Sequence, residues 1–396
     1  MVTVDNFSFA GKKALIRVDF NVPLNSAFEI TDTTRIDEAL PTIKKILDEG
    51  GSAILMSHLG RPKEGPAEKY SLKHLTHYLS RSLNVNVHFA SDCIGEPAES
   101  AAAELKAGEV LLLENLRFHK EEEKGDAEFA GKLAKLGDIY VNDAFGTAHR
   151  AHASTAVIAQ YFEGRKCFGY LLAREIESIT KVNQHPEKPF VAILGGAKVS
   201  DKLAIIKNLM PKTDKIIIGG GMMFTFIKAR GGEIGSSLCE PDMIDTCRNL
   251  LEEAAKQGVE FLLPVDSVIN NAFANEGDIK TLASNEIPEG YMGLDIGPKS
   301  VELFSKALEG SKTILWNGPM GVFEMSHFEN GTKEIAFAVA KATQNGAYSL
   351  VGGGDSVAAV GKYNLKDRVS YVSTGGGAML EFIEGKELPG IAAING

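Results

Sequence analysis

The chain has 396 residues, of which 44% are apolar and 24% charged, and its formal net charge is −10. This length favours two or three domains with separate cores, and the acidic balance argues against nucleic acid or an anionic membrane as a bulk partner. The start lacks the apolar region of a signal peptide, and the most apolar stretch, 216–227, is too short to span a bilayer. Four scattered cysteines favour a reduced, cytoplasmic protein.

Strands and helices alternate through the first half of the chain. Short apolar runs predict strands at 13–19, 53–57, 86–90, 110–114 and 139–142, and helical periodicity predicts helices at 35–47, 71–83 and 126–136. Such uninterrupted apolar runs are typical of parallel strands that are buried on both faces.

The second half repeats the alternation. Strands are predicted at 190–194, 215–218, 260–263, 313–316, 349–351 and 369–373, and helices at 200–210, 241–257, 299–308, 331–343 and 356–363. Segment 167–183 has a helical pattern, and two prolines end it at 186 and 189. The predicted fold class is therefore α/β, with two doubly wound parallel-sheet, Rossmann-like domains joined by a helical hinge.

Glycine clusters end four strands of the second half, at ILGGAK (193–198), IIGGGM (217–222), LVGGGDS (350–356) and STGGGAM (373–379). Glycine lets backbone N–H groups and a helix N-terminus approach a phosphate closely. Lys198 and Lys202, predicted at the start of a helix, are easier to explain if an anion binds there, although solvated lysines beside a glycine turn remain the alternative. Asp355 could hold Mg²⁺ or cap a helix.

The glycine clusters match neither of the two common nucleotide-binding patterns. None has the G-x-G-x-x-G spacing of nicotinamide dehydrogenases, which disfavours that class, and none has the G-x-x-x-x-G-K-[ST] spacing of P-loop enzymes. Glycines 219–221 could form a flat wall against a nucleotide base, whereas 375–377 are better explained by close packing of a helix on a strand.

Strands of the first half end in charged and carboxamide groups instead, most of them cationic. These groups are Asp19, Asn21, His58, Arg61, Arg117 and Arg150, and Arg35 opens a helix. Each arginine alone could be a solvated surface residue. Because the carboxyl ends of parallel strands share one edge of a sheet, the set predicts an anion site there. An anion site and a nucleotide site on one chain indicate phosphoryl transfer.

At this point the residues match a known family. The chain resembles phosphoglycerate kinases along its whole length, through the segments RVDFNVPL (17–24), TRID (34–37), SHLGRP (57–62), LLLENLRF (111–118), VNDAFGTAHRAHAST (141–155), AILGGAKVSDK (192–202), IGGGMMFTF (218–226), GLDIGP (293–298), LWNGPMGVFE (315–324), GGGDS (352–356) and STGGGA (373–378). The resemblance implies reversible transfer from 1,3-bisphosphoglycerate to MgADP, which gives 3-phosphoglycerate and MgATP.

The resemblance also implies the site residues. Phosphoglycerate is expected on Asp19, Phe20, Asn21, Arg35, His58, Leu59, Gly60, Arg61, Arg117 and Arg150. The nucleotide is expected on Gly196, Lys202, Gly221, Gly293, Asn317, Glu324, Gly353, Gly354, Asp355 and Ser356, with Asp355 on Mg²⁺. The groups expected to act on the transferring phosphoryl are Arg35, Lys198 and Gly353.

The two prolines place the domain junction near 170–188, the split of cationic and glycine motifs across it predicts domain closure, and the resemblance implies that the last residues return to the N-terminal domain. An N-terminal phosphoglycerate-binding domain is expected at 1–170 with 388–396 packed back onto it, a hinge at 171–188 and a nucleotide-binding domain at 189–387. The hinge is expected to close the domains for direct transfer, and a monomer is expected. A nucleotide-sensing or scaffold protein that lost catalysis is the alternative, which the presence of Lys198, Arg35, Lys202 and Asp355 disfavours.

Overall fold

A computed structural model describes all residues, 1–396, and the chain divides into two compact units. The N-terminal unit comprises Met1–Glu177 together with Lys386–Gly396, and the C-terminal unit comprises Ser178–Gly385. None of the helices has the length and apolar character needed to cross a membrane.

The strands, in chain order, are β1 (Lys13–Arg17), β2 (Ser52–Met56), β3 (Val87–Ala90), β4 (Val110–Leu113), β5 (Ile139–Asn142), β6 (Lys166–Phe168), β7 (Phe190–Leu194), β8 (Lys215–Ile218), β9 (Glu233–Ile234), β10 (Glu260–Leu262), β11 (Asp266–Asn270), β12 (Lys280–Ala283), β13 (Glu286–Ile287), β14 (Met292–Ile296), β15 (Thr313–Asn317), β16 (Tyr348–Val351) and β17 (Tyr371–Val372).

The α-helices are α1 (Thr34–Asp48), α2 (Thr76–Leu83), α3 (Gly95–Glu104), α4 (Lys120–Lys124), α5 (Ala127–Ala134), α6 (Tyr170–Asn183), α7 (Leu203–Leu209), α8 (Met223–Ala229), α9 (Ile244–Gln257), α10 (Pro298–Leu308), α11 (Asn330–Gln344), α12 (Gly354–Lys362), α13 (Gly377–Ile383) and α14 (Pro389–Asn395).

The N-terminal unit is built on a parallel sheet of six strands in the order β3-β4-β2-β1-β5-β6. Helix α1 covers it with the buried residues Ile36, Ala39, Ile43 and Ile46, which recur at helical spacing. The strand order changes direction between β1 and β5, and ligands of doubly wound sheets bind beyond the carboxyl ends of the strands at such a point. Helix α14 packs here, since Gly390 donates to the Ala148 carbonyl at 2.8 Å.

The C-terminal unit has its own parallel sheet of six strands in the order β10-β8-β7-β15-β16-β17. Its strand order changes direction between β7 and β15, so the equivalent ligand position lies beyond Leu194 and Asn317. An antiparallel sheet of three strands, β12-β11-β14, and a parallel pair, β13-β9, complete this unit.

The predicted alternation of strands and helices is confirmed in both units, with several local differences, among them the following three. Segment 167–183 is not one helix, because Cys167 and Phe168 belong to β6 and the helix begins at Tyr170. Helix α7 begins at Leu203 rather than near 200. The small sheet of β11, β12 and β14 was not predicted, since its short strands lie among polar loop residues.

Candidate active site

An ion pair lies at the carboxyl end of β1. Arg35, in the first turn of α1, donates from Nη1 to Oδ2 of Asp19 at 2.9 Å. Burial raises the pKa of Asp19, but the positive charges around it, that of Arg35 first among them, outweigh burial and hold the pKa below its usual value. Asp19 therefore stays ionised and orients Arg35, whose side chain remains 38% exposed and open to an anion.

His58 lies beside this pair, two residues after β2. Its Nδ1 atom is 4.0 Å from Oδ1 of Asp19 and 3.3 Å from Nη2 of the buried Arg17. Burial, reinforced by the positive charges of Arg17 and Arg117, lowers the pKa of His58 to about 3 even though Asp19 opposes the shift. His58 is thus a neutral imidazole at physiological pH.

The loop after β2 is fastened from both sides at Gly60. The side-chain oxygen of Asn21 accepts a hydrogen bond from the Gly60 N–H at 2.8 Å, and Arg117 donates from Nη1 to the Gly60 carbonyl at 3.1 Å. Gly60 has φ +64°, and a Cβ there would come within 2.5 Å of the Tyr70 ring. Only glycine therefore suits this turn, which brings Asn21, Gly60 and Arg117 together.

The remaining predicted residues of this unit differ in what they can offer. Arg61 and Arg150 are exposed, so their guanidinium groups are accessible. Phe20 and Leu59 point into the hydrophobic core, at 0% and 3% exposure, and can contribute only backbone groups to a ligand. Burial, and then the charges of Arg117, Arg17 and Arg150, lower the pKa of His152 to about 4, which reflects how closely the cations are gathered.

In the C-terminal unit, glycine backbones from three strand ends meet at van der Waals contact. The Gly195 N–H donates to the Asn317 carbonyl at 2.9 Å, and the Gly220 N–H donates to the Met320 carbonyl at 2.9 Å. Gly220 has φ +67°, and a Cβ on it would come within 2.5 Å of the Gly196 backbone. Side chains cannot enter here, so the surface that faces a ligand is made of main chain.

The N-terminus of α12 is held against the end of β15. Asn317 donates from Nδ2 to the Gly352 carbonyl at 2.7 Å, and the Gly318 N–H donates to Oγ of Ser356 at 2.6 Å. Gly353 precedes the helix with φ +94°, in the left-handed region. The first N–H groups of a helix have no partner within it and form an anion site. Asp355 is exposed in this first turn.

The two lysines of the first glycine cluster have different surroundings. Lys202 donates from Nζ to Oδ1 of Asn317, and burial lowers its pKa while Asp201 and Asp355 oppose the shift. Lys198 is exposed in the loop before α7 and does not lie on the helix, contrary to the prediction.

Glu240 fastens the backbone that follows Lys198. It accepts hydrogen bonds from the N–H groups of Val199 and Ser200 at 2.6 and 3.2 Å, and from Oγ of Ser200 at 2.5 Å. Burial alone would raise the pKa of Glu240, but these hydrogen bonds and the charge of Lys198 lower it. This role was not predictable, because no local pattern in the segment CEPD (239–242) indicates a contact with residues 199 and 200.

A pocket of ≈ 440 Å³ opens beside these elements. Five predicted nucleotide residues line it, namely Gly196, Gly221, Gly293, Glu324 and Asp355. Its apolar walls include Phe224, Leu238 and Phe273, which were not predicted. Leu238 and Phe273 are 48% and 65% exposed, an unusual state for large apolar side chains that suits a flat aromatic ligand.

Comparisons with known proteins agree with this arrangement. The family model described as Phosphoglycerate kinase matches residues 4–386. The chain is 54% identical to the phosphoglycerate kinase of Porphyromonas gingivalis, with all of both chains covered. It is 52% identical to the cytosolic phosphoglycerate kinase of Nicotiana tabacum, over 97% of this chain and 96% of that protein.

Solved structures give the same result. The phosphoglycerate kinase of Coxiella burnetii superposes with a TM-score of 0.90 at 40% identity, and that of Pyrococcus horikoshii with 0.84 at 31% identity. Each comparison covers 100% of this chain and 98% of the other. The α/β architecture with two parallel six-stranded sheets is therefore shared with these proteins.

Proposed function

Because the chain belongs to the phosphoglycerate kinase family, we propose that its two sites together perform reversible phosphoryl transfer from 1,3-bisphosphoglycerate to ADP, giving 3-phosphoglycerate and ATP. The observation that carries the proposal is the difference in chemistry between the sites. One gathers side-chain cations and the other gathers backbone N–H groups around an apolar pocket, and each lies at the change in strand order of its own sheet.

Phosphoglycerate binds the N-terminal unit in this proposal. Its carboxylate and phosphate oxygens are recognised by Asp19, Asn21, Arg35, His58, Arg61, Arg117 and Arg150 and by backbone groups of Phe20, Leu59 and Gly60. Support comes from the hydrogen bonds that already orient Arg35 and Arg117. Guanidinium groups suit such oxygens because they can donate two parallel hydrogen bonds.

The nucleotide binds the C-terminal unit. Its base lies in the pocket of Gly221, Gly293 and Phe273, its ribose meets Glu324, and its phosphates meet the N-terminus of α12 from Gly353 to Ser356. Gly196, Lys202 and Asn317 complete the phosphate side, where Lys202 and Asn317 are already joined by a hydrogen bond.

The transfer needs no general base in either direction, because a carboxylate and an ADP phosphate oxygen are both anionic nucleophiles at neutral pH. The histidines of the cluster agree with this, since pKa values of about 3 for His58 and about 4 for His152 are far from those of effective proton carriers near pH 7. Catalysis is then positioning and charge stabilisation, supplied by Arg35, Lys198 and the N–H groups at Gly353.

A magnesium ion fits beside Asp355. The carboxylate is exposed in the first turn of α12 and lines the nucleotide pocket, and Mg²⁺ is commonly held by one or two carboxylates plus phosphate oxygens and water. When bound, the ion would offset the charge of the nucleotide phosphates.

We propose further that helix α6 and the segment around 171–188 form a hinge, with residues 1–170 and 388–396 as the phosphoglycerate domain and 189–387 as the nucleotide domain. The two predicted ligand sites belong to different units, while in-line transfer requires the reacting atoms to approach to roughly 3–3.5 Å. Small-angle scattering with both ligands should show a smaller radius of gyration, and an unchanged radius would count against closure.

The proposal also covers the partners, the oligomeric state and the location of the protein. Small molecules are its partners, it acts as a monomer in the cytoplasm, and nucleic acid and membranes have no part in the reaction. The net charge of −10 and the four unpaired cysteines support this setting. Sedimentation at several protein concentrations tests the monomer.

A coupled assay tests the function as a whole. ATP formation from 1,3-bisphosphoglycerate and ADP is expected to require both ligands and Mg²⁺. A scaffold or nucleotide-sensing protein of the same fold would bind ADP without forming ATP, and that result would reject the proposal.

A further inference from the structure

A chain of buried hydrogen bonds runs behind the cationic cluster of the N-terminal unit. Arg17, the last residue of β1, has no exposed surface and donates from Nε to Oγ of Ser154 at 2.8 Å. Ser154 in turn donates from Oγ to Oε1 of Glu122 at 2.5 Å and from its N–H to Oε2 at 3.0 Å. A second arm of Arg17, Nη1, donates to the Val18 carbonyl.

These hydrogen bonds connect the buried positive charge of Arg17 to the buried negative charge of Glu122. Glu122 is fully buried, and although burial raises its pKa, the charge of Arg17 and the hydrogen bonds from Ser154 oppose the rise. Both carboxylate oxygens accept hydrogen bonds, as the ionised form requires. An arginine buried without such a counter-charge would be strongly destabilising, so Glu122 and Ser154 keep Arg17 in its place.

The last member of this series of hydrogen bonds lies at the substrate site. Nη2 of Arg17 lies 3.3 Å from Nδ1 of His58. A guanidinium group has only donors, so a hydrogen bond at this contact requires Nδ1 to be the acceptor. A neutral imidazole that accepts at Nδ1 carries its proton on Nε2, because the two ring nitrogens share one proton.

We propose that Arg17, held by Ser154 and Glu122, is a positioning residue that fixes His58 in the tautomer with its proton on Nε2, as a hydrogen-bond donor to an anionic oxygen of phosphoglycerate. The inference rests on the proposed function for the identity of that anion. Without Arg17 the proton could move to Nδ1, and Nε2 would then present a lone pair to the anion and repel it. A lysine at position 17 would lack the planar fork that contacts Ser154, Val18 and His58 at once.

The direct test is the tautomer of His58 in the ligand-free protein. Nitrogen NMR of protein labelled with ¹⁵N-histidine distinguishes a protonated Nε2 from a protonated Nδ1 by the chemical shifts of the two ring nitrogens. Wild-type protein is expected to show His58 protonated on Nε2, and Ser154→Ala to show a mixture of both tautomers. Glu122→Gln, which keeps the shape of the side chain and removes its charge, should shift the mixture in the same direction.

Tyr140→Phe is the matched control. The Tyr140 hydroxyl is fully buried and donates to the Ser154 carbonyl at 2.7 Å, so the variant removes a buried hydrogen bond from the same residue without touching the contact between Arg17 and His58. Its His58 signals should match those of the wild type. A shift in Tyr140→Phe as large as that in Ser154→Ala would mean that loosened packing is responsible, and would overturn the proposal.

Kinetics supply the second readout. In Ser154→Ala the KM for 3-phosphoglycerate should rise about 10-fold while kcat changes less than about 2-fold, since one hydrogen bond to a charged oxygen is weakened. An unchanged His58 tautomer in both Ser154→Ala and Glu122→Gln overturns the proposal whatever the kinetics. Failure of the wild-type protein to bind 3-phosphoglycerate would instead reject the proposed function. The NMR result would still decide whether Arg17 fixes the tautomer of His58.

Discussion

Replacing Asp143 by asparagine should stabilise the N-terminal unit at neutral pH and have little effect in acid. Asp143 follows β5, is fully buried, and accepts a hydrogen bond at Oδ1 from the N–H of Leu172 in the first turn of α6, at 3.1 Å. Burial raises the pKa of Asp143 from 3.8 to about 6, because the hydrogen bonds it receives do not compensate for lost hydration. Asparagine keeps an oxygen for Leu172 and carries no charge.

The expected size follows from the two pKa values. Below pH 3.8 the carboxyl is protonated in both folded and unfolded chains, and the substitution changes only neutral contacts. As the pH rises from 3.8 to about 6, the unfolded chain ionises while the folded chain does not, so folding loses stability. The loss reaches about 1.6 kcal/mol near pH 5 and about 3 kcal/mol above pH 7, at 1.36 kcal/mol per pKa unit.

Urea unfolding of the wild type and Asp143→Asn measures this difference. Circular dichroism reports the unfolding of both units. Trp316 is the single tryptophan and is buried in the C-terminal unit, so its fluorescence reports the unfolding of that unit alone. The unfolding midpoint measured by fluorescence should therefore be the same in both proteins. Asp367→Asn, at an exposed position, is the control for loss of one charge. A gain in stability of equal size at pH 5 and pH 7.5, or no gain at pH 7.5, would refute the reasoning.

Three further predictions concern the reaction. Lys198→Ala should lower kcat by about 10²–10³ with a small change in KM, because its contact strengthens in the transition state; steady-state kinetics that show weaker binding with normal turnover would reject that role. Arg117→Ala should raise the Kd of 3-phosphoglycerate about 10-fold or more by calorimetry and leave ADP binding intact, since its guanidinium carries a charged hydrogen bond. Phe273→Ala should weaken ADP binding about 5-fold through lost stacking on the base, without lowering the melting temperature, because the side chain is 65% exposed; tight ADP binding by the variant would contradict its place in the pocket.

The architecture was predictable because parallel strands buried on both faces leave a clear signal. The central residues of β1, β2, β7 and β15 are uninterrupted and apolar, and every residue of these strands is buried except the half-buried Lys13. Strand β12 is exposed or half-buried, whereas β11 is mostly buried but contains the polar residues Asp266, Ser267 and Asn270, so both sequences resemble the loops around them. Periodicity detects buried apolar residues, and it fails where a strand is exposed or buries polar ones.

The burial of single charged residues was not predictable, because it leaves no pattern in the neighbouring sequence. Glu121, Glu122 and Glu123 stand in a row and look like a solvated stretch, yet Glu121 and Glu123 are exposed while Glu122 has no exposed surface. Arg17 likewise appears in the sequence as a charged residue that ends an apolar strand. Which member of such a run turns inward depends on partners far away in the chain, here Ser154, and no local pattern encodes that choice.

The two sites obtain their positive potential by different means, and this determines how each can fail. In the N-terminal unit the potential comes from side chains such as Arg35, whose orientation depends on buried or half-buried carboxylates. A single substitution behind the site, as at Ser154, can therefore change the site without touching a ligand. In the C-terminal unit the N–H groups belong to the main chain at Gly353 and Gly220, whose φ values of +94° and +67° only glycine adopts without strain. There a contact between these N–H groups and a phosphate is lost only when the backbone itself moves, so phosphate binding should be affected more by substitutions of these glycines than by substitutions of side chains that do not touch the nucleotide.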